Sequence, residues 1–100
     1  MGSSKEDNQH RCAGSIHVLP RDSCCQIYWQ ESRPRADRVR IKAYTCDCQP
    51  TFYELCQAGG LLYIRRTSRE RRRVTVHETV WMVARDGEQL WTQLITGQVC

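Results

Sequence analysis

No apolar run in this 100-residue chain comes near the roughly 20 residues a helix needs to cross a bilayer. The opening residues, Met1 to His10, lack the apolar centre of a secretory signal. Gly2 does not begin a myristoylation motif, because Glu6 stands where Ser or Thr is required. Cys100 is the last residue rather than the fourth from the end, which excludes prenylation. Together these absences predict a cytoplasmic protein with no membrane partner. Phenylalanine occurs once, and there is no Cys-x-x-Cys pair, internal repeat or low-complexity tract. No stretch carries a catalytic or cofactor signature strong enough to name a reaction.

What is present suits a single globular domain. A chain of this length has room for one core. Apolar residues make up 40% and charged residues 26%, an ordinary globular balance, with three Trp and four Tyr as bulky material. Net charge is +4, and six of the arginines fall within residues 65–73. That asymmetry points to an acidic macromolecular partner, protein or nucleic acid. Seven cysteines are many for the length. Without an export signal the default is reduced thiols. The odd count leaves one cysteine able to bridge two copies of the chain, a route to a homo-oligomer.

Local patterns predict an α+β fold, a small and mainly antiparallel sheet with two helices on one face. Residues 1–14 read as a flexible arm and 15–100 as one domain. Strand-like runs occur at Ser15–Leu19, Cys24–Gln30, Leu61–Ile64 and Val74–His77. Val39, Ile41 and Ala43 alternate with Arg38, Arg40 and Lys42, the period of a half-buried strand. Thr51 and Glu54 are spaced as a capping box and Gly59-Gly60 as a helix end, which predicts a short helix over about 51–58. A second helix is predicted over about 84–96, where Ala84, Gly87, Leu90, Trp91, Leu94 and Ile95 fall at helical spacing.

Two regions could carry chemistry. Cys46 and Cys48 can both turn toward a metal if their strand stops there. Cys56, returned by the helix, and His77 would then complete a three-sulfur, one-nitrogen site of the kind zinc accepts. The competing reading has no cofactor: Cys56 packs as a small hydrophobe, and Cys46 and Cys48 point to opposite strand faces. Redox pairing of the thiols is a third. His17 alternates with apolar neighbours and reads as a face residue, and the vicinal Cys24-Cys25 has no obvious partner. The second region is Arg65, Arg66, Arg69, Arg71, Arg72 and Arg73, read as a long basic connection at a hairpin tip. Such a finger can track phosphates, or simply be a solvated turn. No aromatic is interleaved in the run, which argues against base stacking.

The block Tyr53-Glu54-Leu55-Cys56-Gln57-Ala58-Gly59-Gly60-Leu61-Leu62-Tyr63-Ile64-Arg65-Arg66-Thr67, followed by Glu78-Thr79-Val80-Trp81 and Leu90-Trp91, resembles a family of small actinobacterial proteins grouped as a domain of unknown function. The resemblance covers roughly residues 39–99. It implies the domain boundaries and a companion role beside larger gene sets, and brings no activity.

Three functions follow as expectations. The first is a non-catalytic accessory or regulatory protein that binds a macromolecule through the basic hairpin 65–73. The second is a zinc-stabilised nucleic-acid-binding regulator using the cysteine cluster. The third is a thiol-dependent enzyme.

Overall fold

A computed structural model describes residues 16–18, 24–32 and 38–100. In chain order the elements are strands β1 (Gln30–Glu31), β2 (Arg40–Tyr44), β3 (Thr51–Ala58), β4 (Leu61–Glu70), β5 (Arg73–Glu78) and β6 (Met82–Val83), then helix α1 (Ala84–Ile95). The strands form one antiparallel sheet in the order β1-β5-β4-β3-β2, with β6 pairing the start of β4. The mainly antiparallel α+β architecture stands. The expected arm over 1–14 lies outside the described residues, as do Ser15, Leu19 and the turn after them. Of the first expected strand, residues 16–18 contribute one bridge, Ile16 to Thr45.

The helix expected over 51–58 is a central strand. Thr51 to Ala58 pair residue for residue with Ser68 to Leu61, and Gly59-Gly60 make the two-residue turn between them. Both glycines have positive φ, 58° and 85°, a conformation that serves a hairpin turn as well as a helix end. The capping-box residues have other work: Thr51 Oγ1 lies 3.2 Å from Ser68 Oγ, and Glu54 sits opposite Arg65. Apolar residues at 52, 53, 55, 56 and 58 mimic a helical period only because this strand is covered on both faces. Among the described residues, one helix therefore packs on the sheet where two were expected.

Alternation divides the core in two. Tyr53 and Leu55 from β3, Leu62 and Ile64 from β4, and Trp91 and Leu94 from α1 form the larger cluster. Fully burying each aliphatic chain in it contributes about 1.5–3 kcal/mol. On the other sheet face, Cys56, Ala58 and Tyr63 pack together beneath Trp81, whose ring stacks on Tyr63 at 5.3 Å.

Helix and sheet are in close contact at Gly87. A β-carbon there would stand 2.6 Å from Leu62 Cβ. Gly87→Ala would gain about 1 kcal/mol of helix propensity but overpack this contact, which costs about 1–3 kcal/mol. The variant is expected to be less stable than the parent in urea unfolding. A gain in stability would show that α1 can lift from β4 freely.

The C-terminus is tied to the second segment of the chain. Cys25 and Val99 form a parallel bridge, Ile27 N–H donates to the Cys100 carbonyl at 3.2 Å, and Trp29 Nε1 donates to the same oxygen at 3.2 Å. Cys24 and Cys100 are joined by a disulfide. A partnerless Cys24 and a terminal cysteine available to bridge two chains are therefore corrected, while Cys25, Cys48 and Cys56 are free thiols. The reason is topological: this pair is 76 residues apart in sequence, and the backbone pairing of Cys25 and Ile27 with the C-terminus brings it together.

Candidate functional site: a basic hairpin end beside a thiol–imidazole cluster

The arginine run is not a nine-residue connection. Strand β4 continues to Glu70, β5 begins at Arg73, and Glu70 pairs with Arg73 across a turn of Arg71 and Arg72. Strand pairing then gives the arginines different surroundings. Arg65 lies between Glu54 and Glu78 on the adjoining strands, 3.5 and 3.7 Å from their carboxylates, and donates to Tyr63 Oη at 3.1 Å. Arg66 lies on the other face, its guanidinium 4.6 Å from the centre of the Trp29 ring. Arg69 covers the Phe52 ring at 5.2 Å and donates to the carbonyls of Asp47 and Gln49. Three of the six predicted partner-binding arginines thus have structural employment within the fold. Arg65 finds its acids outside the run, because Glu54 and Glu78 come from neighbouring strands.

Arg71, Arg72 and Arg73 are exposed at the hairpin end, where Glu70 is the one acid of the turn. With Pro50, Arg69 and Glu70 they line an open cleft. Arg71 has φ 54°, the left-handed conformation that costs a residue with a β-carbon about 1–2 kcal/mol. Glycine would sit there at far lower cost. The chain keeps a cation instead.

The predicted metal residues separate into two places. Strand β2 ends at Tyr44, so strand alternation no longer governs Cys46 and Cys48, which flank the turn at Asp47. Their thiols do turn to one side. The partner they meet is His17: one ring nitrogen and both sulfurs lie within 4.8 Å of one another. Ile16 forms a parallel bridge with Thr45, and Cys46 N–H donates to the Ile16 carbonyl at 2.7 Å, which sets His17 beside Cys46. Cys46 is buried, while His17 and Cys48 are exposed. The turn is braced from β4 by the Arg69 bonds to Asp47 and Gln49, so the cluster and the basic hairpin end share one margin of the sheet.

Cys56 and His77 are not in that cluster. Without the expected helix, Cys56 stays in mid-strand opposite Tyr63 and Ile41, fully buried. Burial pushes its thiol pKa up, against the pull of the Arg65 charge. It is a protonated packing residue at neutral pH, unsuited to nucleophilic attack. His77 lies in β5 opposite Arg66 and Glu31. Sequence reasoning missed His17 as a member of the cluster, and 29 residues of separation from Cys46 left no local signal for it. Compared with protein-family models, curated proteins and solved structures, the chain matches none.

Proposed function

We propose that the protein is a small non-catalytic accessory or regulatory factor that binds a nucleic-acid backbone through Arg71, Arg72 and Arg73 at the end of the β4–β5 hairpin. The observation that carries this reading is the cation held at Arg71 in a left-handed turn, at a conformational cost that glycine would avoid. A narrow two-stranded ribbon with three exposed guanidinium groups at its end suits phosphates, which accept paired N–H donors. Absence of an aromatic among these residues favours backbone over base recognition.

The test is binding to labelled DNA and RNA duplexes across a salt series. Exchanging Arg71, Arg72 and Arg73 for Gln is expected to weaken binding for every sequence tried. The salt slope should fall by about 0.9 for each phosphate of B-DNA that is no longer neutralised. Arg69 and the two arginines before it are left in place, because they hold the fold. Arg71→Gly separates binding from stability: it is expected to weaken binding while leaving stability unchanged or raised by up to about 1 kcal/mol. If the parent protein ignores both nucleic acids at low salt, the reading fails and an acidic protein surface replaces it.

A further inference from the structure

We propose that His17, Cys46 and Cys48 form a zinc site. This stands apart from the nucleic-acid reading, since it rests on different residues and a different measurement. Two thiolates and an imidazole are ligands that zinc takes together, at about 2.3 Å for sulfur and 2.0–2.1 Å for nitrogen. Those bond lengths place tetrahedral neighbours about 3.5–4 Å apart. The three ligand atoms already lie within 4.8 Å of one another, so only side-chain adjustment separates them from a closed site.

Donors face both sulfurs. Cys48 N–H points at Cys46 Sγ, 3.5 Å away, and Gln49 Nε2 lies 3.7 Å from Cys48 Sγ. Arg69 adds a positive charge on the carbonyls of the same turn. Cys-x-Cys spacing keeps the two sulfurs on one short loop, and the parallel bridge at Ile16 and Thr45 delivers the imidazole from a distant segment. Because His17 and Cys48 are exposed, the fourth position faces solvent and can be filled by water. Binding releases the protons of the two thiols to solvent. Loading would clamp residues 16–18 onto the 46–48 turn.

The experiment uses the full chain, with zinc measured by competition against a chromophoric chelator and cobalt as a spectroscopic stand-in. One cobalt per chain is expected, with a near-ultraviolet thiolate-to-metal charge-transfer band and the visible bands of tetrahedral coordination. Cys48→Ser and His17→Ala change exposed side chains, so the fold survives them. Each is expected to lower zinc affinity by more than the roughly hundredfold that marks the upper range for outer-sphere partners. Cys56→Ala and His77→Gln are expected to leave affinity and spectrum unchanged, which separates this ligand set from the one drawn from sequence. Cobalt bound without a thiolate band, or zinc affinity untouched by Cys48→Ser or by His17→Ala, overturns the assignment. So does a protein that takes up no metal.

Discussion

Arg65→Met is expected to destabilise the protein by about 3–5 kcal/mol, the range for stripping one partner from a buried ion pair. Glu54, Arg65 and Glu78 stand in register on three consecutive strands, so one guanidinium serves two carboxylates. The Glu78 side chain is 2% exposed and that of Arg65 is 29% exposed. Methionine matches the length of the arginine stem but leaves two carboxylates beside each other without the cation between them. Ser32 Oγ, which donates to Glu78 Oε2 at 2.9 Å, cannot supply that charge. Tyr63 Oη loses its bond from Arg65 as well. Urea unfolding of Arg65→Met, Glu78→Gln and the double variant closes the cycle. The double variant should recover part of the loss, since a neutral amide at position 78 no longer needs a counter-charge. Strict additivity of the two single losses would mean that the pair does not interact. Arg65→Lys should be intermediate, because an ammonium keeps the charge but cannot reach both neighbours with a planar fork.

Removing the Cys24–Cys100 disulfide should be nearly as costly. The bond closes a loop across 76 residues of sequence, and cross-links of this kind typically stabilise by about 2–4 kcal/mol through the unfolded chain. Cys24→Ser is expected to lose that amount in denaturant unfolding without reductant. The parent protein should fall to the same midpoint once reductant is added, and the variant should not respond further. Peptide mapping of unreduced protein should recover the segments around Cys24 and Cys100 as one linked species. A parent midpoint that ignores reductant would show the two sulfurs unbonded in solution. The local consequence is testable in the same samples: Trp29 donates to the Cys100 carbonyl and lies tilted against Tyr53, so its fluorescence should change when the C-terminus is released.

What the amino-acid order determined here is local and conformational. Alternating residues from Val39, the apolar run at Leu61–Ile64 and the pair Val74 and Val76 predict strands, and each lies in or borders one. Gly59-Gly60 demands left-handed backbone whatever precedes it, and that demand is met. Which element the glycines terminate was beyond local reach, because a helix end and a hairpin turn ask for the same φ. Tertiary pairing decided it. With β4 on one side and β2 on the other, Thr51–Ala58 gains two ladders and buries both faces, which a two-turn helix could not do. The same pairing gave each arginine its own surroundings, placing Arg65 between two acids, Arg66 on Trp29 and Arg71 to Arg73 in solvent. It also joined residues that no sequence window contains, His17 with Cys46 and Cys24 with Cys100. Backbone preference is written within a few residues. The meeting of distant side chains depends on which apolar faces cover one another, and that is settled only when the whole sheet closes on its helix.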